Sequence, residues 1–281
     1  QKPKVVIEEI KDYYSNYTAN VHRGVYSIAE KATRMYEESR KIIAEFLNAE
    51  TNEIIFTKGT TESINFISNS FAKNKLKKND EIIITEMEHH SNIIPWQILS
   101  KEKGIIIKFI PILENGHLDL EKFQDLISSK TKLISITHMS NVLGVINPVE
   151  DIIKIAKKNS IEVFIDAAQS ISHLKIDVKE LNCDYLAFSG HKILGPTGVG
   201  VLYIKKNKHS KILPLLYGGH MIKEVSMEDF NYNDIPWKFE AGTANIAQVI
   251  GLGKAIEYFQ KYNIESLHLY TSKLYKYLHQ M

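Results

Sequence analysis

A chain of 281 residues, 44% hydrophobic and 24% charged, has the balance of a soluble protein with one large core, near the size at which single cores stop growing. A net charge of +2 without a basic stripe interleaved with aromatics carries no nucleic-acid signature, and no apolar stretch approaches the ~18 residues of a membrane span. The single cysteine excludes an internal disulfide and points to a reducing compartment.

Only three of the 35 basic residues are arginine (Arg23, Arg34, Arg40), while isoleucine and asparagine are abundant; the bias suggests an A/T-rich genome. Gln1-Lys2-Pro3 has neither an initiator methionine nor a targeting signal, and the last residues show no helix stop, so both ends read as cut.

Residues 1–25 form an N-terminal segment in which Tyr13, Tyr14 and Tyr17 lead into a polar loop, His22-Arg23-Gly24. The Arg23 guanidinium can clamp a carboxylate through two hydrogen bonds; a solvated or subunit-contact arginine fits the same pattern. Helical periodicity covers 28–47. An apolar strand over 54–57 then runs into Lys58-Gly59-Thr60-Thr61 and a helix over 61–71. Such a junction offers backbone N–H groups and the positive end of a helix dipole to an anion, although threonine there also serves as a plain N-cap. The lysine-rich run 73–78 reads as a solvated loop.

A strand over 81–85 precedes Glu88-His89-His90 and a helix over 92–103. Adjacent histidines point different ways, and no further ligands stand at metal spacing, which argues against a metal. A strand over 105–111, a helix over 120–127 and a strand over 132–137 lead to Ser140-Asn141. A helix over 148–159 is followed by a strand over 162–166 that ends in Asp166-Ala167-Ala168-Gln169. Cys183 precedes the next strand, 185–188, at its amino end, and reads as a small buried hydrophobe. That strand ends in Ser189-Gly190-His191-Lys192, followed by Gly195-Pro196-Thr197-Gly198 and a strand over 199–204. Residues 218–239 read as a surface loop or hairpin, 247–262 as a helix, and 264–281 as an amphipathic helical pattern.

Short, continuously apolar runs alternating with amphipathic stretches predict an α/β fold, with about seven mostly parallel strands and helices on both faces. Ligands of such sheets bind beyond the carboxyl ends of the strands. Thr60, His89, Asn141, Asp166 and Ser189 to Lys192 all fall there. Asp166 and Lys192, twenty-six residues apart at the ends of consecutive strands, form the pair that pyridoxal 5'-phosphate needs. The carboxylate keeps the pyridinium nitrogen protonated, and the lysine condenses with the aldehyde. A buried Asp166 also demands a cationic partner.

These motifs, together with Lys58-Gly59-Thr60-Thr61-Glu62, Glu86-Met87-Glu88-His89-His90-Ser91-Asn92, Ser140-Asn141-Val142-Leu143-Gly144 and Phe239-Glu240-Ala241-Gly242-Thr243, run in order along nearly the whole chain. The chain resembles fold-type I pyridoxal-phosphate enzymes and, more narrowly, the SUF-type (group II) cysteine desulfurases. The resemblance implies that Lys192 holds the cofactor and moves the substrate Cα proton, with His89 stacked on the ring and also catalytic. Asp166 would face the ring nitrogen, and Gln169 and Asn141 the phenolic-oxygen edge. Thr60, Thr61, Ser189 and His191 would form the phosphate cup, joined by Thr243 from a second subunit of a homodimer. His22 and Arg23 would line the substrate pocket.

The same resemblance implies removal of sulfur from L-cysteine to give L-alanine and an enzyme persulfide, passed to a SUF-type acceptor protein for iron–sulfur cluster assembly. It divides the chain into the segment 1–25, a large cofactor domain over 26–262, and the start of a connector, 263–281, to an absent C-terminal domain. The nucleophilic cysteine and the main carboxylate arginine would lie beyond Met281. A selenocysteine lyase or another fold-type I lyase or aminotransferase is the alternative activity, and a bare cofactor-binding scaffold the non-enzymatic one. A bacterial cytoplasm and a plastid-type organelle such as an apicoplast both suit such an enzyme.

Overall fold

A computed structural model describes residues 1–280. Seven strands, β1 (Ile54–Thr57), β2 (Glu81–Thr85), β3 (Ile106–Ile110), β4 (Thr131–Thr137), β5 (Glu162–Asp166), β6 (Tyr185–Ser189) and β7 (Gly200–Ile204), form one sheet in the order β1-β7-β6-β5-β4-β2-β3. Each lies within one residue of its predicted bounds at both ends. β2 to β6 pair in parallel, whereas β7 is antiparallel to both its neighbours. Connection length accounts for the β6–β7 pair: residues 190–199 are fewer than the dozen or so that a parallel crossover takes, whereas the parallel neighbours are joined through helices.

The helices are α1 (Lys4–Asn16), α2 (Ser27–Leu47), α3 (Thr60–Asn74), α4 (Ile94–Lys103), α5 (Leu120–Leu126), α6 (Val149–Lys158), α7 (Val178–Leu181), α8 (Ile246–Phe259) and α9 (Ile264–His279). Consecutive strand residues feed opposite faces, as the pleat requires. Ile83, Val163, Ile165, Leu186 and Phe188 pack with α1, α2 and α5 to α8, while Ile82, Ile84, Phe164, Tyr185 and Ala187 pack under α3 and α4. Both faces are therefore covered. β3 closes one edge, and its central Lys108 pairs with Glu81 at 2.8 Å.

Three sequence readings change. Helix α1 occupies a segment for which no element was predicted; Val6, Ile10, Tyr13 and Tyr17 recur at helical spacing, and Ile10 packs so closely on α8 that a Cβ on Gly251 would sit 2.8 Å from it. Helix α7 was not foreseen either. Part of the lysine-rich run is structural, since α3 extends through Asn74 and Lys75 Nζ lies 2.8 Å from both oxygens of Glu162. The excursion at 218–239, read as a surface loop or hairpin, is a hairpin, β8 (Ile222–Val225) with β9 (Phe230–Tyr232).

One buried ion pair fastens the N-terminal half to the approach to α8. Arg40, 1% exposed, donates from both terminal nitrogens to Glu240 at 2.7 and 2.9 Å and also to the Ile54 carbonyl at 2.7 Å. Glu240 further accepts the Phe56 N–H at 2.8 Å and the Tyr36 hydroxyl at 3.2 Å. Removing Glu240 strips Arg40 of two short charge-assisted bonds and leaves it only the partly exposed Glu37, 2.9 Å from its Nε, as counter-charge. Glu240→Ala should therefore cost about 3–5 kcal/mol, read as a lowered urea midpoint; an unchanged midpoint would show that the pair contributes little.

Candidate active site

A cavity of about 300 Å³ opens at the carboxyl ends of β4, β5 and β6 and the start of α3. Its anion-binding side begins at Gly59, whose φ of +150° suits glycine and turns the chain from β1 into α3. The turn lets the Thr60 N–H donate to Ser189 Oγ at 2.9 Å, and the two hydroxyls also lie 2.9 Å apart. When the Thr60 hydroxyl donates as well, the Ser189 proton is left to point at a ligand. Thr61 lies next along α3, and the N-terminus of this fifteen-residue helix adds positive potential. His191 lines the same space; burial, then the charges of Lys192 and Lys2, push its imidazole pKa down.

Asp166 ends β5, in register with Thr137 on β4 and Ala187 on β6. It is 3% exposed, and one carboxylate oxygen accepts the Ala168 N–H at 2.9 Å. Burial raises its pKa, while the Ala168 N–H and the charges of Lys192 and His89 act the other way. A buried carboxylate without a bonded cation favours a ligand that brings one. Lys192 closes the turn after β6. Gly190 and Gly195 pack too tightly there for side chains: a Cβ on Gly195 would lie 2.8 Å from the Gly190 carbonyl oxygen. The Gly195 N–H donates to that carbonyl at 2.9 Å, which fixes the loop carrying the amine.

His89, Asn141 and Gln169 complete the lining, with Thr137, Met139 and Ser91, which sequence reasoning did not single out. Three predicted residues lie elsewhere in the single chain. Thr243 borders a separate cavity with Lys58 and Glu62, and His22 and Arg23 line another with His220, Lys223 and Trp237. His22 Nε2 is engaged by Glu37 at 2.9 Å, and its ring stacks on His220 at 5.1 Å. Neither reaches the Lys192 cavity.

Residues 1–281 match the family model described as aminotransferase class-V. The chain is 49% identical over 280 residues to a cysteine desulfurase of Wigglesworthia glossinidia brevipalpis, covering 99% of this chain and 68% of that relative. It superposes with a TM-score of 0.96 and 42% identity on the apo structure of a cysteine desulfurase from Thermococcus onnurineus NA1, over 99% of this chain and 70% of that one. A second structure, a C-DES mutant with glycine covalently linked to its pyridoxal-phosphate cofactor, aligns at TM-score 0.85 and 25% identity over 95% and 71% of the two chains. The chain belongs to the pyridoxal-phosphate-dependent class-V aminotransferases and, within them, to the cysteine desulfurases.

The only cysteine of this desulfurase chain, Cys183, is fully buried, and burial followed by the charge of Asp184 pushes its thiol up to about 12. A thiol so protonated and enclosed is a poor nucleophile, in line with the sequence reading.

In a neighbouring cavity that shares His89 and Asn141 with this one, the desulfurase holds a second buried carboxyl, Glu88, to which sequence reasoning gave no role. Glu88 accepts the Thr85 hydroxyl at 2.7 Å, the Thr137 N–H at 2.8 Å and the Asn92 amide at 2.7 Å. Asn92 in turn accepts from the Trp96 indole at 3.0 Å and the Ser135 hydroxyl at 2.6 Å, so the network joins β2, β4 and α4. Burial pushes the Glu88 carboxyl up to about 8, Asp166 adds to the rise, and the three donors oppose it. The folded state thus holds a proton that the unfolded chain releases near 4.5, and this contribution to stability is lost as pH climbs through about 8. Thermal melts between about pH 5 and 9 should show a steeper fall for the parent than for Glu88→Gln, which cannot ionise; parallel curves would refute the linkage.

Proposed function

We propose that the Lys192 cavity binds pyridoxal phosphate and serves the removal of sulfur from L-cysteine, releasing L-alanine and leaving an enzyme persulfide. The observation that carries this reading is the lining of one cavity: Lys192 and Asp166 share it with Thr60, Thr61, Ser189 and His191. When bound, the cofactor supplies the electron sink that lets the substrate Cα–H bond break.

In this reading, Lys192 Nζ holds the cofactor's aldehyde carbon and later takes the Cα proton. Asp166 faces the ring nitrogen with its charge, which the bound cation stabilises against burial. Gln169 and Asn141 orient the ring from the phenolic-oxygen edge, and His89 stacks on its face. Thr60, Thr61, Ser189 and His191 hold the phosphate. Thr243 sits outside this cavity in one chain and serves the site of a second copy, which makes the working unit a homodimer. His22 and Arg23 line the substrate pocket only in that assembly, and the main carboxylate arginine lies outside these 281 residues.

The sulfur step needs a thiolate, and Cys183 is not suited to it. We assign the nucleophile to a cysteine outside these 281 residues, within the length of the relatives that the chain does not span. It attacks the substrate sulfur, the C–S bond breaks, a sulfur–sulfur bond forms, and the carbon fragment is protonated and leaves as alanine. The large cofactor domain over 26–262, flanked by 1–25 and 263–281, carries the site. A SUF-type acceptor protein takes the persulfide for iron–sulfur cluster assembly, in a bacterial cytoplasm or a plastid-type organelle such as an apicoplast. No helix among the described residues is long and apolar enough to cross a membrane.

The test is alanine release from L-cysteine by the full-length protein, loaded with pyridoxal phosphate and given a reductant. Alanine with sulfide is expected. Lys192→Ala should abolish both turnover and the covalent cofactor absorbance, and retained turnover would refute its role. Asp166→Ala should slow turnover by at least about 100-fold, the scale of a lost electrostatic stabiliser; near-normal rates would contradict the ring-nitrogen contact. A cofactor-loaded protein that releases no alanine would point to selenocysteine or to another amino-acid substrate.

A further inference from the structure

Ser91 stands between two groups of the cavity that come from different elements. Its backbone N–H donates to His89 Nδ1 at 3.1 Å, and its Oγ lies 3.0 Å from the same nitrogen. The same Oγ lies 2.7 Å from Thr61 Oγ1, on the first turn of α3 and thirty residues earlier in the chain. A backbone N–H can only donate. Nδ1 must therefore offer its lone pair, and the neutral ring carries its proton on Nε2, the nitrogen on the far side from Ser91.

The hydroxyl pair then has two arrangements. In one, Thr61 donates to Ser91 and Ser91 donates to Nδ1, so the imidazole nitrogen receives two hydrogen bonds. In the other, an anion takes the Thr61 proton. Thr61 Oγ1 is then free to accept from Ser91, and Nδ1 keeps only the backbone N–H. What Thr61 holds is in this way felt at the imidazole, while the tautomer survives in both states.

We infer that Ser91 is a positioning residue that holds His89 in its Nε2-protonated form and couples the ring to the anion-binding hydroxyl of Thr61. The inference rests on the pyridoxal-phosphate reading of the cavity, because only there does a phosphate sit at Thr61 while a ring meets His89. Ser91 belongs to the double-histidine motif, but its link to Thr61 is made by the fold and has no local sign in the sequence.

The test uses full-length apoprotein labelled with nitrogen-15 at histidine, with the His89 ring signals identified by their loss in His89→Gln. The parent should show an unprotonated Nδ1. Ser91→Ala keeps the backbone N–H, so Nδ1 should stay unprotonated there, and Ser91→Thr should match the parent in every spectrum. A protonated Nδ1 in the parent would overturn the inference, as would a Ser91→Thr protein that does not behave as the parent does. Inorganic phosphate should shift the His89 Nδ1 signal in the parent and leave it unmoved in Ser91→Ala; equal shifts would overturn the coupling. Pyridoxal phosphate added to the parent should produce the covalent absorbance band that Lys192→Ala lacks. Its absence would overturn the cofactor reading and the role at the ring with it, while the tautomer spectra separately report whether Ser91 holds the imidazole.

Discussion

The site depends on two backbones touching where no side chain can intervene. Gly200 lies across from Thr57 on one side and Ser189 on the other, and a Cβ there would stand 2.4 Å from Gly59 Cα and 2.7 Å from the Phe188 carbonyl oxygen. Because both residues are glycine, the end of β1 closes against the end of β6, and the Thr60 N–H reaches Ser189. Any larger residue would hold the two strand ends apart and open the hydroxyl cup. The reversed β7, which carries Gly200, thus does more than fill the sheet: it joins the anion-binding turn to the strand that presents the lysine.

Around this contact the protein concentrates polar groups where a sheet of this type has least need of them for cohesion. The middles of β2, β5 and β6 are aliphatic or aromatic and fully enclosed, whereas Thr85, Thr137, Asp166 and Ser189 stand at the strand ends. Glu88 and Asp166, both buried and both with raised carboxyl pKa values, lie in this one region. Isolated charges there would be destabilising, and natural folds tolerate such groups at functional sites when the surrounding core over-determines the structure. The Arg40–Glu240 pair belongs to that surrounding framework, since it ties α2 and β1 to the segment that follows the hairpin.

What could be read from the sequence followed from locality. The strands were legible because each is a compact apolar run bounded by polar or glycine residues, and the cavity residues because they follow those runs directly. Helix α1 was missed because its face of Val6, Ile10, Tyr13 and Tyr17 looks like an aromatic cluster until the helical spacing is counted. Long-range partners had no local sign: Lys75 meets Glu162 87 residues on, and Arg40 meets Glu240 200 residues on. Thr243, His22 and Arg23 lie in recognisable motifs, yet nothing in their order tells which cavity of the single chain each will border. Glu88 is the sharpest case, because its three donors come from the end of β2, the end of β4 and the turn before α4.

The unpaired side of β3 has a consequence for assembly. Ile106, Ile107, Phe109 and Ile110 would make an inviting strip for a strand from another molecule, and an exposed row of main-chain donors and acceptors is a template for aggregation. Lys108 interrupts the strip at its centre, its ammonium held at 2.8 Å by both Glu81 and the Leu126 carbonyl. An incoming strand would have to strip water from that ion pair while matching an apolar register broken in the middle. The edge is thereby guarded against pairing with an extended strand.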